Sequence, residues 1–308
     1  MKILFMGSSA FAVPSLDALV RSPHSILEVV VQPDKQAGRG MHITACPVAE
    51  FARSNGLALF QPTSVRKEDV IEHFRGLAPD LLVIVAYGKI LPRALIDIPR
   101  LGSINVHASL LPKYRGAAPI NWAIANGERE TGVTTMYINE GLDAGDMLLS
   151  ASTPIGSEET ALELHDRLAT IGAALLTETV KKIEAGKIEP VPQDHSKATF
   201  APILKKKDGR IDWQMPAFAI ANRVRGFSPW PGTFTSLNQK TVRVHKAQAA
   251  EISHCEKPGT VIEATNALTV ACGRGALCIL ELQSEGGRRM PATDFLRGHK
   301  IAVGTKFG

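Results

Sequence analysis

Paired cysteines are absent from the sequence. The four cysteines form no CxxC motif and have no histidine partners at zinc-binding spacing; they are Cys46, Cys255, Cys272 and Cys278. This absence argues against a disulfide scaffold and against a structural zinc site. We therefore expect reduced thiols in a cytoplasmic protein that needs no metal.

Long apolar runs are absent as well. No stretch approaches the ~20 uninterrupted apolar residues of a membrane-spanning helix. The N-terminal run MKILFMGSSAFAVPSL is broken by Gly7, Ser8 and Ser9, and it lacks the cleavage site of a signal peptide. We interpret this run as a first β-strand and expect no membrane partner.

A dinucleotide-binding fingerprint is also missing. Gly7 stands alone after the first strand, where the GxGxxG pattern needs two further glycines for the tight turn and the close approach of a pyrophosphate. We therefore exclude NAD as a cofactor.

Apolar runs that alternate with helix-like segments occupy the first two-thirds of the chain. With 308 residues, 44% of them hydrophobic, the chain can bury a full core and form two domains. The alternation predicts an α/β domain with a Rossmann-like, doubly wound, mostly parallel sheet. The predicted strands are 2–7, 27–32, 57–61, 80–88, 102–107, 133–138 and 147–155, with a helix beginning near Phe11.

A long helix is predicted over residues 158–185. Its apolar face is expected to carry Leu162, His165, Leu168, Ile171 and Leu175. Because His165 lies inside this apolar face, we interpret it as a packing residue rather than a ligand.

Short strands follow in the last third of the chain, after a helix predicted over 216–227. The strands are predicted at 233–237, 241–247, 259–264, 267–271 and 276–282. Their number and spacing favour a small, OB-like β-barrel. Prolines and polar residues before this region indicate an interdomain linker. We predict domains at 1–188 and 207–308, with a linker at 189–206.

The net charge of +5 is unevenly distributed. From Lys205 onward, 16 basic residues stand against 8 acidic ones, a net charge of +8, which leaves −3 for the first 204 residues. A basic C-terminal domain suggests an anionic partner such as nucleic acid, although surplus surface lysine would give the same count.

Polar groups suited to catalysis cluster in the stretch NVHASLLPKYRG, residues 105–116. Asn105 and His107 are two residues apart on a predicted strand, so their side chains project from one face. With a nearby carboxylate, such a pair could stabilise a tetrahedral oxyanion and transfer a proton. On its own, an NxH pair is more typical of a buried hydrogen-bonded pair.

Three motifs resemble the folate-dependent formyltransferase family. They are NVHASLLPKYRGAAPINW from Asn105, GLDAGD from Gly141 and IVAYGKILP from Ile84, and the resemblance covers essentially the whole chain. It implies that Asn105, His107 and Asp143 are the catalytic residues. It further implies that 10-formyltetrahydrofolate is bound by two short segments, which consist of Ser109, Leu110, Leu111 and Pro112 and of Tyr87, Gly88, Lys89 and Ile90.

The acceptor implied by the resemblance is methionine on a charged initiator tRNA. The segment QPDKQAGRGMHITACPV (residues 32–48) looks like a loop of the family members that act on this tRNA. The stretches FSPWPGTF and RIDW and the basic tail look similar too. Met41 and His42 follow GRG where lysine is common in the family, which puts more of the expected phosphate contact on Arg39. The expected nucleic-acid contacts are Arg39, Lys205, Lys206, Lys207, Arg210, Arg223 and Arg225.

Other interpretations stay open at this stage. The same core occurs in formyltransferases that act on an amino sugar nucleotide and in 10-formyltetrahydrofolate hydrolases, and a non-catalytic RNA-binding protein is a further alternative. Arg115 could bind an anionic substrate group or fix the SLLPKYRG loop, and we favour the structural role. A monomer is the family expectation.

Overall fold

The computed structural model describes residues 1–37 and 42–308. These residues divide into two units. The first consists of Met1–Pro119, Thr131–Thr153 and His165–Ala201. The second consists of Ile120–Glu130, Pro154–Leu164 and Pro202–Gly308.

Strands and helices alternate through most of the chain. The strands are β1 (Lys2–Gly7), β2 (Ser25–Val30), β3 (Lys35–Ala37), β4 (His42–Thr44), β5 (Leu59–Phe60), β6 (Leu81–Val85), β7 (Ser103–His107), β8 (Arg115–Gly116), β9 (Glu130–Tyr137), β10 (Met147–Pro154), β11 (Phe200–Ala201), β12 (Thr233–Leu237), β13 (Lys240–Ala250), β14 (Val261–Glu263), β15 (Leu268–Ala271), β16 (Ala276–Ser284) and β17 (Met290–Pro291). The α-helices are α1 (Val13–Val20), α2 (Pro47–Ser54), α3 (Glu68–Leu77), α4 (Arg93–Ile96), α5 (Pro119–Ala125), α6 (Ala161–Glu184), α7 (Ala217–Gly226) and α8 (Ala292–Gly298). Short 3₁₀ helices span Ala10–Ala12, His195–Lys197 and Lys206–Gly209.

The main sheet of the first unit has the order β10-β9-β7-β6-β1-β2-β5. Pairing is parallel from β5 to β7, whereas β7 and β9 are antiparallel. The predicted Rossmann-like, mostly parallel sheet is therefore confirmed, and the predicted strands match within a few residues. The antiparallel pair β3–β4 and the short parallel pair β8–β11 were not predicted, because strands of two or three residues carry no usable periodicity.

Successive side chains along each strand point to opposite faces of this sheet. On one face Leu4, Met6, Leu82 and Ile84 form a core with Phe74 of α3. On the other face the side chain of Val106 lies against Gly172 of α6, since a Cβ added to that glycine would lie 3.1 Å from Val106 Cγ1. Side chains on either side of Val106 therefore project away from α6.

The lone glycine at the end of β1 has a packing role. A Cβ on Gly7 would lie 2.8 Å from the Val85 carbonyl oxygen and 2.9 Å from Ala12 Cβ. Gly7 is thus required for the close approach of β1 to the end of β6 and to the following 3₁₀ turn.

Helix α6 confirms the packing role of His165 and corrects one position. The imidazole of His165 makes an edge contact with the Phe11 ring at a centroid distance of 5.4 Å. Leu168 and Leu175 are buried as predicted, but Leu162 is 51% exposed and Leu164 is buried instead. The prediction for Leu162 was wrong because the buried stripe of the helix includes Ala161 and Leu164, which are three residues apart, and Leu162 lies outside this stripe.

The segment predicted as a linker makes ordered contacts within the first unit. Gln193 is buried, and β11 pairs with β8 in parallel. The backbone N–H of Arg115 also donates to the carbonyl of Thr199 at 2.8 Å. Residues 189–201 of the predicted linker therefore belong to the first unit.

The second unit is built on an antiparallel sheet of order β12-β13-β16-β15-β14, with β17 added to β16. The chain end closes this sheet. Ser236 of β12 exchanges backbone hydrogen bonds with Gly308, and Val261 of β14 donates to the carbonyl of Thr305. Because the same terminal segment pairs with both edge strands, the sheet curls into the predicted barrel-like form. Its core includes Ile220 and Val224 of α7 and Phe295 of α8.

Candidate active site

Strand β7 carries the first two candidate catalytic side chains at its carboxyl end. Asn105 and His107 lie on the face opposite Val106, as the i, i+2 spacing predicts. In the antiparallel pairing with β9, Asn105 is opposite Met136 and His107 is opposite Thr134. Asn105 is half-buried, and the His107 side chain is almost fully buried.

The SLLP loop that follows β7 is tied to β9 and to itself. The hydroxyl of Thr134 donates to the Ser109 carbonyl at 2.7 Å and accepts from the Leu111 N–H at 3.2 Å. The Ser109 hydroxyl donates to the Lys113 carbonyl at 2.6 Å. Ser109 and Leu111 are buried, whereas Leu110 is half-buried. The loop therefore has a fixed backbone beside His107.

His107 is held between a carbonyl and a carboxylate. Its Nε2 lies 2.9 Å from the Tyr114 carbonyl oxygen, and its Nδ1 lies 3.6 Å from Asp143 Oδ2. A carbonyl oxygen only accepts hydrogen bonds, so Nε2 carries a proton. Nδ1 is thus the ring atom available for proton exchange, and it faces Asp143.

Asp143 lies in the loop between β9 and β10. Its backbone adopts a left-handed φ of 47°, which is uncommon for a residue with a side chain but is tolerated best by Asp and Asn. The backbone N–H of Gly116 donates to Asp143 Oδ2 at 2.8 Å. The structure therefore brings Asp143 and His107 together, although they are far apart in sequence.

The segment Tyr87–Ile90 follows the carboxyl end of β6, the strand next to β7. The Tyr87 ring is buried, and the backbone carbonyl of Tyr87 accepts a hydrogen bond from the Gln32 side-chain amide at 2.5 Å. Gly88 has a φ of 76°, and Ile90 is 76% exposed. This segment therefore presents backbone groups and one apolar side chain, and the Tyr87 phenol is not on the surface.

The buried Tyr87 phenol gives a pH-dependent prediction. Burial raises its pKa to about 12, above the value of about 10 in an unfolded chain. At a pH between these two pKa values, the Tyr87 phenol is ionised in the unfolded chain but still protonated in the folded protein. The free energy of unfolding therefore falls as pH rises through this range. We expect Tyr87→Phe to remove this part of the alkaline destabilisation in urea titrations from pH 9 to 12. Equal pH slopes for both proteins would show that Tyr87 ionises freely in the folded state.

Arg115 has the structural role that we favoured from the sequence, with partners that the sequence did not indicate. Its guanidinium is buried and donates to Gln193 Oε1 from Nε at 3.0 Å and from Nη2 at 2.6 Å. Nη2 also donates to His195 Nδ1 at 3.1 Å. Gln193 was missed because a glutamine in a polar, proline-bounded segment carries no sequence signal for a buried contact.

The second glycine of the GLDAGD motif, Gly145, is required by a close approach of the backbone. A Cβ on Gly145 would lie 1.9 Å from the Tyr137 carbonyl oxygen, so the backbone would have to shift. We expect Gly145→Ala to lower the free energy of unfolding by about 1–3 kcal/mol, as measured by denaturant titration. Gly76→Ala is the matched control, since Gly76 is exposed in α3 with no heavy atom within 4 Å of the added Cβ. It should leave stability unchanged or higher, and an equal loss of stability in both variants would contradict the steric argument.

The predicted nucleic-acid contacts have different surroundings. Lys205, Lys206, Lys207 and Arg210 are exposed around the 3₁₀ helix at Lys206–Gly209. Arg223 lies 6.0 Å from the centroid of the Phe227 ring. Arg39 lies outside the described residues.

Arg225 is committed to internal partners. Its guanidinium donates to the carbonyls of Gly156 and Glu159 and to Asn222 Oδ1. Burial lowers its pKa, although a guanidinium stays charged. These contacts favour a structural role for Arg225 over the predicted phosphate contact.

The described residues contain neither a membrane-spanning helix nor a metal-binding cluster. Among residues 1–37 and 42–308, no helix is long and apolar enough to span a bilayer. In the same residues, no group of three or more His, Cys, Asp and Glu side chains is arranged to hold a metal ion. A surface cavity of about 580 Å³ is lined by Asp80, Asp97 and Arg100. It lies at the amino end of β6, away from His107.

An amide, an imidazole and a carboxylate at the carboxyl edge of an α/β sheet are the arrangement expected of a group-transfer enzyme with an anionic transition state. Comparison with known families specifies the group. A family model described as formyl transferase matches residues 1–180, and one described as formyl transferase, C-terminal domain, matches residues 203–300. The chain therefore belongs to the formyl transferase family.

Individual relatives agree with this assignment. A methionyl-tRNA formyltransferase of Solibacter usitatus is 50% identical over 308 residues, which cover 100% of this chain and 99% of the relative. An N-formyltransferase of Helicobacter canadensis, solved with folinic acid and dTDP-3-aminofucose, superimposes with a TM-score of 0.67 at 18% identity, covering 94% of this chain and all of that one. HypX of Aquifex aeolicus, solved with tetrahydrofolic acid, gives a TM-score of 0.63 at 20% identity over 96% of this chain. This chain spans about half of HypX, 47% of its length. The two structural matches show a shared fold.

Proposed function

We propose that this protein transfers the formyl group of 10-formyltetrahydrofolate to the α-amino group of methionine carried by initiator tRNA. The observation that carries the proposal is the position of His107, fixed between the Tyr114 carbonyl and the Asp143 carboxylate on the same strand face as Asn105. The full-length identity of 50% to a methionyl-tRNA formyltransferase supports this choice of acceptor over an amino sugar.

Asn105 and His107 are suited to stabilise the oxyanion of formyl transfer. Attack of the amine nitrogen on the formyl carbon places negative charge on the formyl oxygen. The Asn105 side-chain amide can donate to this oxygen, and a protonated His107 can donate from Nδ1. Donors that are already in place need little reorganisation energy, and His107 is held in place by the Tyr114 carbonyl.

Asp143 and His107 together can move the proton that the reaction releases. The amine must lose one proton when its bond to carbon forms, and the folate nitrogen must gain one when its bond to carbon breaks. Asp143 Oδ2 faces His107 Nδ1 at 3.6 Å, so the pair can accept the first proton and deliver the second. The Gly116 N–H donates to this carboxylate oxygen at 2.8 Å and holds it in place.

The two predicted folate segments fit a flat heterocycle with hydrogen-bonding edges. The backbone of Tyr87–Lys89 offers polar groups, and exposed Ile90 with half-buried Leu110 offers apolar contact. The buried Ser109 and Leu111 fix the SLLP loop rather than face solvent. When bound, the folate supplies the activated formyl group; these residues supply its placement.

The second unit is suited to bind the tRNA backbone. Lys205, Lys206, Lys207 and Arg210 are exposed and close in sequence, and their positive charge attracts phosphate without reading bases. As part of the same proposal, the protein acts as a monomer in the cytoplasm, where charged tRNA is available. We likewise propose 1–188 as the catalytic domain and 207–308 as the tRNA-binding domain. Residues 189–206 connect them, and the part of this connection up to Ala201 packs within the first unit.

The proposal is tested by offering several acceptors to the purified protein. Labelled 10-formyltetrahydrofolate is supplied with methionyl initiator tRNA, methionyl elongator tRNA or an amino sugar nucleotide in parallel reactions. We expect the label on the methionine of initiator tRNA. Label on the sugar alone would refute the proposal.

A further inference from the structure

We propose that Gln193 is a positioning residue that holds the Asp143 loop in the geometry required for formyl transfer. This inference rests on the proposed function, because it takes from there the role of Asp143. Gln193 lies in the segment that the sequence predicts as a linker, yet only 5% of it is exposed. A glutamine buried to this degree is held by specific partners.

The amide nitrogen of Gln193 holds the backbone of the Asp143 loop at two points. It donates to the Asp143 carbonyl at 2.9 Å and to the Gly145 carbonyl at 2.7 Å. An amide has two N–H groups, so both are used. Asp143 has a left-handed φ of 47°, a conformation that costs about 1–3 kcal/mol and persists only where its surroundings enforce it. The two bonds from Gln193 help to enforce it.

The amide oxygen of Gln193 is fixed by Arg115. It accepts from Arg115 Nε at 3.0 Å and from Nη2 at 2.6 Å. Rotation of the amide by 180° would place its N–H groups against the guanidinium and its oxygen against two carbonyls, so one orientation is enforced. Gln193 is thus a rigid connection from a buried cation to the loop.

Two consecutive residues of the short strand β8 hold Asp143, one at its main chain and the other at its side-chain carboxylate. Through Gln193, Arg115 holds the main chain of Asp143, and the next residue, Gly116, donates its N–H to Asp143 Oδ2 at 2.8 Å. These contacts fix the carboxylate relative to His107 Nδ1, 3.6 Å away. Gln193 acts through Asp143, so its removal should lower kcat and leave substrate affinity nearly unchanged.

Gln193→Glu is the informative substitution. Glutamate has nearly the same shape and still accepts from Arg115, but its carboxylate cannot donate to the two carbonyls. We expect kcat to fall by about 10- to 100-fold, because small displacements of a catalytic group have effects of this size. KM for both substrates should change by less than about 2-fold. Gln239→Glu is the matched control, since Gln239 is exposed in the β12–β13 turn, and it should keep the wild-type kcat.

A double-mutant cycle with Asp143→Asn separates positioning from general damage. If Gln193 acts through the Asp143 carboxylate, Gln193→Glu should change kcat by less than about 2-fold in the Asp143→Asn background. The same 10- to 100-fold decrease in both backgrounds, or no decrease in the wild-type background, would overturn the inference.

Hydrogen exchange of the full-length protein gives a readout that is independent of activity. We expect faster amide exchange in the peptide containing residues 141–146 of Gln193→Glu, with unchanged exchange in α6. Unchanged exchange in the 141–146 peptide would overturn the positioning role even if kcat fell. If the wild-type protein failed to formylate methionyl-tRNA, the proposed function would fail, while this exchange measurement would still report whether Gln193 holds the loop.

Discussion

Replacing Asn105, His107 or Asp143 with alanine is expected to lower the turnover number by about 100-fold or more. Each change removes a group that acts only as charge develops or as the proton moves. Asn105→Ala removes an oxyanion donor, His107→Ala removes the proton-carrying ring, and Asp143→Ala removes the carboxylate 3.6 Å from that ring. Steady-state formylation of methionyl-tRNA at saturating folate measures the effect.

Asp146→Asn provides a matched control for this prediction. Asp146 is exposed three residues after Asp143, and its backbone carbonyl, which the substitution retains, accepts from the Tyr137 N–H. Turnover of this variant should stay within about 2-fold of the wild-type value. Wild-type turnover in folded Asn105→Ala, His107→Ala and Asp143→Ala proteins would refute the assignment of the catalytic residues.

The second large effect is expected at the exposed lysines of the second unit. At 0.15 M salt, replacing Lys206 and Lys207 with glutamine should raise KM for tRNA. The expected increase is roughly 5-fold for each of these lysines that neutralises a phosphate. The slope of log KM against log salt concentration should fall by up to about 1 for each lysine. KM for 10-formyltetrahydrofolate should not change. Kinetics over a series of salt concentrations provide the measurement.

A double substitution on the first unit controls for the change of net charge. Lys181 and Lys187 are exposed at and after the end of α6, and replacing both with glutamine changes the net charge by the same amount. This variant should retain the wild-type salt slope. Equal slopes for the Lys206/Lys207 variant and the wild type would show that these two lysines do not contact phosphate.

Strand periodicity was sufficient to predict the main sheet and most of the barrel-like sheet. The predicted strand at 102–107 became Ser103–His107, and the helix at 216–227 became Ala217–Gly226. Closure of the second sheet by residues 304–308 could not be predicted, because it depends on backbone hydrogen bonds between distant segments. Helix α6 gives a second example, because Leu164 is buried instead of Leu162. The sequence pattern predicts that the helix has an apolar stripe, but packing against neighbouring elements determines which residues lie at the edge of this stripe.

The resemblance of motifs predicted which residues lie in the site but not how they are held. His107 and Asp143 are brought together by the β9–β10 loop, which the sequence places after a strand. The bond from His107 to the Tyr114 carbonyl and the burial of Gln193 depend on the loop conformation, for which residue type gives no signal. For Arg225 the sequence predicts a phosphate contact, because the residue is basic and lies in a basic domain. In the structure its guanidinium instead donates to two neighbouring carbonyls.

The fate of the formyl group tests the central claim most directly. The wild-type protein is incubated with 10-formyltetrahydrofolate labelled in the formyl group, with and without methionyl initiator tRNA, and the label is measured in tRNA-bound formylmethionine and in free formate. Transfer predicts label in formylmethionine and little formate in either reaction. Formate release at the same rate with and without tRNA, with no labelled formylmethionine, would contradict the claim.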